Sequence, residues 1–459
     1  MRSALWPWRG SFPSNLAIDN AHRGNELGRR RAPMAFESAQ LIKVYLWGQY
    51  VGALARGTRS RAYVFEYTPE WVRTGIEFAP LTMPGRTRSY TFPGLPVETF
   101  YGLPSAIADA LPDRFGHSIV TAELERQGAS LGNLSALDRL AYAGARSMGA
   151  LEFVPDVGPG APEASMLNIG ELVKAARKVV AGKLGTDSES EAALQQILAV
   201  GTSAGGARAK AVVNIDPDTG ALYPGQQAVP GLEPWLLKFD GIGVDRQLGA
   251  TQLYGRIEYA YSLMAQAAGV TMAQTRLLEE NGRAHFMTRR FDRPDGLTKL
   301  HMQSLCAMSE LDYNAVGVHD YAQYQNAIVA LDLGEAAAVQ GFRRMAFNLA
   351  AANCDDHTKN FGFLMNSSGQ WSLAPAYDVT HAFNPQGPWT FQHLMSIGGK
   401  FQGITHAELM VFAERHNVPG AANILNEVND AVDSWAMFAA TAKIPTSVFG
   451  AIAKDFQRV

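Results

Sequence analysis

Strand-like and helix-like patterns occupy different parts of this chain instead of alternating along it. Residues 41–67 are rich in β-branched and aromatic residues, as the strands of a small antiparallel sheet are. Short strand patterns return around Val212, Leu237 and Phe286. Beyond about Leu300, helical spacing dominates. Thr405 and Glu408 there fit a capping box, and residues 421–440 fit one amphipathic final helix. This order favours an α+β protein, with a β-rich beginning, a mixed middle and a mainly helical end.

The chain has 459 residues, which is too long for one compact core, so two or three domains or lobes are expected. Residues 154–162 are rich in Pro and Gly and mark a boundary. Residues 1–37 contain six Arg and show no periodicity, which predicts a disordered leader, or an over-long start with Met34 as the alternative initiator. The predicted units are a leader (1–37), a β-rich N-terminal subdomain (38–160), a mixed lobe (161–300) and a helical lobe (301–459).

Composition argues against several classes of protein. The net charge is −3 and the isoelectric point is near 6.4, whereas a nucleic-acid-binding surface is usually strongly basic. No uninterrupted apolar run reaches the ~20 residues of a membrane helix. The only two cysteines, Cys306 and Cys354, lack metal-type spacing and suit a reducing compartment. We therefore predict a cytoplasmic protein with no membrane partner. A local basic patch that binds nucleic acid stays open.

The densest group of polar side chains, residues 353–360, directly follows an apolar, Ala-rich helical segment that ends near Ala352. Such groups are costly to bury without partners, so the cluster is expected at a helix end that faces a cleft. Asp355 and Asn360 are five positions apart, which is the spacing of the protein-kinase catalytic loop. In that loop the Asp accepts the proton of the substrate hydroxyl and the Asn binds magnesium. We predict these two roles for Asp355 and Asn360.

The segment after the cluster predicts a β-hairpin. Residues 361–365 and 371–373 read as strands, and residues 366–369 read as the turn between them. The hairpin would return the chain beside Asn360 and place Asp378 there as a second magnesium ligand. One carboxylate and one amide oxygen, completed by phosphates and water, are a typical ligand set for Mg²⁺.

Three further parts of a kinase are predicted upstream. Residues 201–210 contain three glycines whose N–H groups can approach phosphate, although Ala207 stands where a Walker A loop has Lys. Lys238 ends an apolar strand, and Glu258 follows 20 positions later on a helical stretch. Lys238 is predicted to neutralise the α/β-phosphates of ATP, with Glu258 orienting it. The order of these parts along the chain is the order found in protein kinases.

The same segments resemble the HipA family, the serine/threonine-kinase toxins of bacterial type II toxin–antitoxin modules. The resemblance extends from about Leu41 to Gln457 and leaves out the leader. It implies a protein-kinase-like two-lobed core with a small β-rich N-terminal subdomain and a mainly helical C-terminal lobe. The motifs that carry it lie at residues 44–52, 108–116, 201–208, 290–293, 353–360, 373–378 and 395–400.

The resemblance implies that ATP and Mg²⁺ are bound and assigns roles to individual residues. Asp355 would be the catalytic base, Lys238 would contact ATP, and Asn360 and Asp378 would hold the metal. Ser203 matches the position that family members autophosphorylate. Thr202 is the alternative autophosphorylation site. The other positions implied around the nucleotide are Gly205, Gly206, Ala207, Arg208, Lys210, Arg289, Phe291, His357, Lys359 and Tyr377.

The resemblance also implies partners. Family toxins are neutralised by a small helix-turn-helix antitoxin, so a HipB-like antitoxin is expected, with DNA bound only through it. Family targets belong to translation, which makes an aminoacyl-tRNA synthetase or another translation factor the expected protein substrate.

We therefore predict an ATP- and magnesium-dependent serine/threonine protein kinase. The alternative is a catalytically weak nucleotide-binding co-repressor that acts with the antitoxin, and a small-molecule phosphotransferase would share the same core. A metal-hydrolase site around Asp355 is disfavoured, because the histidines at 301, 381 and 393 form no recognisable ligand spacing.

Overall fold

The computed structural model of the chain describes residues 37–57, 62–112, 114–130, 134–160, 165–180, 194, 197–198, 208–240 and 253–459. The strands are β1 (Leu41–Leu46), β2 (Gln49–Arg56), β3 (Tyr63–Tyr67), β4 (Ser89–Tyr90), β5 (Leu151–Val154), β6 (Lys210–Ile215), β7 (Leu222–Pro224), β8 (Glu233–Lys238), β9 (Thr275–Glu280), β10 (Arg283–Arg289), β11 (His301–Ser304), β12 (His319–Asp320), β13 (Gly362–Met365), β14 (Trp371–Leu373) and β15 (Met395–Ser396).

The helices are α1 (Pro69–Thr74), α2 (Val97–Phe100), α3 (Ser105–Ala108), α4 (Arg114–Arg126), α5 (Ala136–Ala143), α6 (Ile169–Val180), α7 (Tyr254–Ala267), α8 (Leu305–Met308), α9 (Tyr321–Ala330), α10 (Glu335–Ala350), α11 (His406–Arg415), α12 (Ala421–Asp433), α13 (Trp435–Thr441) and α14 (Thr446–Ile452). Short 3₁₀ turns lie at Thr358–Asn360 and Ala453–Asp455.

The first sheet is antiparallel throughout and has the strand order β4-β3-β2-β1-β5. Its buried face follows the two-residue period of a strand, since Ile42, Val44 and Leu46 of β1 are fully buried. These side chains share a core with Phe100 of α2 and Leu140 of α5. Burial of each such side chain contributes about 1.5–3 kcal/mol.

The second sheet is also antiparallel and has the order β7-β6-β8-β10-β9. Strand β6 is buried along its whole length, and Val213 packs with Leu172 of α6 and Trp235 of β8. Helix α7 begins directly against β10. A Cβ atom at Gly255 would clash with the carbonyl oxygen of Ala284, so the absence of a side chain permits this approach.

The C-terminal part is mainly helical. The buried side chains of α7, α9, α10, α12 and α13 form its core, with Phe342 and Leu425 fully buried. Strands β11, β13 and β14 form a small antiparallel sheet, and β12 pairs with β15 in parallel. Thr405 and Glu408 form the capping box expected at the start of α11.

One predicted helix is wrong. Residues 421–440 were expected to form a single final helix, but the structure has α12 and α13 there, followed by α14. Helix α12 ends at Asp433, and the hydroxyl of the next residue, Ser434, donates to the carbonyl oxygen of Asp430 at 2.9 Å. Such a bond competes with helix propagation. Trp435 then turns inward and donates to the carbonyl oxygen of Phe449 at 3.0 Å, a contact that sequence spacing cannot reveal.

The β-rich beginning and helical end that the sequence predicts are therefore present. Within the part of the chain that the structure describes, no helix is long and apolar enough to cross a membrane.

Candidate functional site

Lys238 lies at the centre of the candidate site. It ends β8, and its side chain is only 10% exposed. Its ammonium donates to Oε1 of Glu258 on α7 at 2.5 Å, and it also contacts Oδ1 of Asp378. Glu258 is buried, and the opposite charge of Lys238 offsets the cost of burying its carboxylate. One ammonium thus joins a strand, a helix and the segment that follows the β13–β14 hairpin.

Two further cations lie near Lys238. Lys210 of β6 is buried and stands opposite Lys238 in the sheet register. The Arg208 guanidinium lies 3.9 Å from the centre of the Tyr254 ring. Burial lowers the pKa of Lys238 to about 8, with Lys210 and Arg208 adding to the effect and Glu258 opposing it. Cations held this close together are suited to binding the oxygens of a polyanion.

Lys210, Lys238 and Glu258 line a cleft between the second sheet and the C-terminal lobe, whereas Arg208 is not part of its wall. Asn360 and Asp378 line the same cleft, so the structure brings together the two predicted metal ligands and the predicted phosphate-binding Lys238. The other predicted positions in its wall are Lys210, Arg289, Phe291, Lys359 and Tyr377.

Asn360 and Asp378 fit a magnesium ion. The side-chain nitrogen of Asn360 donates to the carbonyl oxygen of Asp355 at 2.8 Å, so the amide oxygen is the atom left to bind a cation. Asp378 adopts a φ of 53°, a region that is costly for a residue other than Gly and is found at constrained sites. Its carboxylate already faces a positive charge, the Lys238 ammonium. Mg²⁺ needs few protein ligands because it keeps several waters.

The described residues contain no group of three or more His, Cys, Asp or Glu arranged around a metal position. The two predicted magnesium ligands, Asp378 and Asn360, both line the cleft, and magnesium binding there stays a prediction.

Asp355 does not belong to the wall of this cleft. One of its carboxylate oxygens accepts a hydrogen bond from the indole N–H of Trp389 at 2.7 Å. Nε2 of His357 lies 3.7 Å from the same oxygen, too far for a hydrogen bond. Burial lowers the pKa of His357, which favours the neutral imidazole. The predicted base thus stands beside the cleft, held by Trp389.

An apolar end of the cleft lies at the segment between the two lobes. The rings of Phe291 and Tyr377 stack with centroids 5.7 Å apart and an interplanar angle of 29°. The Tyr377 hydroxyl donates to the carbonyl oxygen of Lys359 at 2.7 Å. Arg289 forms an ion pair with Glu233 at 3.2 Å. This end offers flat apolar surface next to charged groups, which suits an aromatic ring.

The glycine-loop residues Thr202, Ser203, Gly205, Gly206 and Ala207 lie outside the described residues. Their predicted roles stay predictions. Arg208 and Lys210, at the end of that loop, are described and lie as given above.

Comparison with protein-family models found two matches: the HipA-like C-terminal domain over residues 202–436 and the HipA N-terminal domain over residues 42–154. The first match alone covers more than half of the 459 residues. This chain belongs to the HipA family.

A solved structure similar to this HipA-family protein is the HipA of Shewanella oneidensis MR-1, described as a toxin–antitoxin system with HipB and its operator DNA. The two share 16% identity over 90% of this chain and 95% of that chain, with a TM-score of 0.62. At this identity the likeness shows a shared fold, and the predicted fold class is confirmed. The Helicobacter pylori proinflammatory kinase CtkA matches at 13% identity over 49% of this chain and 88% of that chain, with a TM-score of 0.32. A search of curated proteins found no match.

Asp356 is a residue whose role the sequence did not reveal. It is fully buried and accepts hydrogen bonds from the Tyr321 hydroxyl at 2.7 Å, the Leu394 N–H at 2.7 Å and Nδ1 of His393 at 2.9 Å. Burial alone would lower the pKa of His393, but the Asp356 carboxylate outweighs it and raises this pKa to about 10. Asp356 therefore fixes the loop that carries Asp355 to the rest of the C-terminal lobe.

Asp109 is a second such residue. Its carboxylate accepts from the Ser304 N–H at 2.6 Å and from the Ser304 hydroxyl at 2.9 Å, and it lies 4.0 Å from the Lys359 ammonium. It comes from the motif at residues 108–116, which contributed to the family resemblance. Asp109 fixes the N-terminal subdomain of this HipA-family protein to the wall of the cleft.

Proposed function

We propose that this HipA-family protein is an ATP- and magnesium-dependent serine/threonine protein kinase, acting as the toxin of a toxin–antitoxin module. The observation that supports the proposal most is the placement of Lys238, buried between Glu258 and Asp378 in a cleft that Asn360 also lines. A strand Lys held by a helix Glu, next to a metal-binding Asp and Asn, is the arrangement with which protein kinases hold ATP.

In this proposal ATP is the phosphate donor, and each residue has one task. Lys238 and Lys210 neutralise phosphate oxygens, while Glu258 keeps the Lys238 ammonium in place. Asp378 and Asn360 hold magnesium, which when bound supplies positive charge to the phosphates. Positioning and charge neutralisation provide most of the rate in such a transfer.

Asp355 orients the substrate hydroxyl and accepts its proton as the γ-phosphoryl group is transferred. The indole N–H of Trp389 occupies one oxygen of Asp355, which leaves the other oxygen for the hydroxyl. At the apolar end of the cleft, Phe291 and Tyr377 provide a surface for the adenine ring, beside Arg289.

We further propose a protein substrate in translation, such as an aminoacyl-tRNA synthetase, and autophosphorylation of the glycine loop at Ser203 or Thr202. A HipB-like helix-turn-helix antitoxin is proposed as the partner, with DNA bound only through it. The Shewanella oneidensis HipA, which shares this fold, is described together with HipB and operator DNA.

The test is incubation with radiolabelled ATP and magnesium, followed by mapping of the label. We expect label on a peptide that contains Thr202 and Ser203, and its loss in Asp355→Asn. Asp433→Asn, which changes an exposed Asp on α12, is the matched control and is expected to be labelled like the original protein. ATP binding without any label would contradict the kinase and would favour the nucleotide-binding co-repressor.

A further inference from the structure

A second cavity lies next to the candidate site and shares Arg290 with it. Arg290 lines both the cleft and a polar cavity of about 290 Å³. The cavity is formed by segments on either side of β5, by the β7–β8 loop and by the residues that follow β10. Its described lining contains four cations and one carboxylate: Arg146, Arg290, Arg293, Lys299 and Asp156.

Two of these cations are neutralised by partners of their own. The Arg146 guanidinium binds the Asp156 carboxylate through two nitrogens, at 2.6 and 3.1 Å. The Lys299 ammonium binds Oε1 of Glu152 at 2.6 Å. Each of these two ion pairs is neutral and therefore adds no net charge to the wall of the cavity.

The other two cations share a single carboxylate. Arg290 and Arg293 donate to Oδ2 of Asp292 at 2.6 and 2.8 Å, and Asp292 is 0% exposed. The two arginines are 7% and 6% exposed, so all three charges have little contact with water. Burial lowers the pKa of Arg293 to about 10, and the charge of Arg290 acts in the same direction. One positive charge is left over at the wall of the cavity, and a buried excess charge is costly.

The two arginines also have N–H groups that do not bind Asp292. A guanidinium has five N–H groups. Arg290 uses Nε and Nη2 on Asp292, and Arg293 uses Nη1 on the same residue. Nη1 of Arg290, and Nε and Nη2 of Arg293, make no hydrogen bond to a residue that the structure describes, and these nitrogens are not among the fully buried polar atoms. The cavity therefore combines surplus charge with donors in fork geometry, which matches carboxylate and phosphate oxygens.

An apolar pocket adjoins the cavity and shares Arg146, Pro159 and Gln226 with it. Tyr142 and Ser147, both 6% exposed, lie in its lining, and their hydroxyls have no hydrogen-bond partner within the described part of the chain. A buried hydroxyl without a partner costs free energy that a ligand group can recover. The combined space is polar and cationic on one side and apolar with two hydroxyls on the other.

We propose that this cavity is a binding site for a small organic anion, whose carboxylate or phosphate pairs with Arg290 and Arg293 and whose apolar body occupies the adjoining pocket. The site is separate from the nucleotide cleft and does not depend on kinase activity.

The test uses phenyl phosphate as the probe, with inorganic phosphate and phenol as its two halves, in calorimetric titrations at constant ionic strength. We expect phenyl phosphate to bind, inorganic phosphate to bind more weakly, and phenol to give no heat. Ala228→Glu places a carboxylate at an exposed position in the cavity wall. It should weaken the binding of phenyl phosphate by about tenfold or more.

Ser367→Glu adds the same charge at an exposed turn outside the cavity and is expected to bind phenyl phosphate like the original protein. Lys238→Met removes a cation of the cleft and is also expected to keep the binding. Loss of binding in Lys238→Met with retention in Ala228→Glu would place the anion in the nucleotide cleft and overturn the proposal. Absence of binding at roughly 10 mM probe would overturn it as well.

Discussion

Replacing His393 by Gln should remove a large, pH-dependent part of the stability of the C-terminal lobe. His393 pairs with the fully buried Asp356 at 2.9 Å, and its pKa rises from 6.5 to about 10. Each pKa unit corresponds to about 1.4 kcal/mol, so the pair contributes up to ~5 kcal/mol. Loss of one partner of a buried ion pair typically costs about 3–5 kcal/mol, and we expect this range for His393→Gln near pH 6.

The stabilisation that the His393–Asp356 pair contributes decreases as the pH rises. Because the folded state holds the His393 proton more tightly than the unfolded state, the stabilisation is fully present below about pH 6.5. It is lost as the pH rises towards about 10. The difference in unfolding free energy between the original protein and His393→Gln should therefore shrink steadily over this interval.

Urea unfolding followed by tryptophan fluorescence, repeated between these pH values, measures that difference. His381→Gln is the matched control. His381 pairs with Asp455 at 2.8 Å, but burial lowers its pKa, so it carries no such dependence above pH 6.5. The reasoning would be refuted if the difference in unfolding free energy between the original protein and His393→Gln stayed constant with pH or grew towards pH 10.

Three further outcomes are expected. Asp109→Asn should lower the unfolding free energy by about 1–3 kcal/mol in urea titrations, because one of its two hydrogen bonds to Ser304 is lost; an unchanged midpoint would contradict this. Asp292→Asn should lower the unfolding free energy by about 3–5 kcal/mol in the same assay, since two buried guanidiniums lose the carboxylate that they share; a loss smaller than that of Asp109→Asn would contradict the excess positive charge. Trp389→Phe should lower phosphoryl transfer by about tenfold with ATP affinity unchanged, and equal initial rates would exclude Trp389 from orienting Asp355.

The sequence predicted the parts of the fold and site that depend on local pattern. The strand that ends in Lys238, the helix that carries Glu258 and the hairpin before Asp378 all follow from short-range periodicity and turn residues. Their order along the chain then suggested that the three side chains meet, as they do in the structure.

Contacts between distant segments could not be predicted in this way. Asp356 is bound by groups 35 and 37 positions away, and nothing in the local pattern distinguishes its anchoring role from that of its neighbour Asp355. Tertiary packing also determines the hydrogen bond from the Trp389 indole to Asp355. The same is true of the break of the last predicted helix at Ser434.

The most direct test of the account is the affinity for ATP with and without magnesium, measured by calorimetry for the original protein and Asp378→Asn. We expect magnesium to tighten ATP binding in the original protein and to have little effect in Asp378→Asn, with Asp433→Asn behaving like the original. An equal gain from magnesium in all three proteins would contradict the claim that Lys238, Asn360 and Asp378 converge on a metal–nucleotide complex.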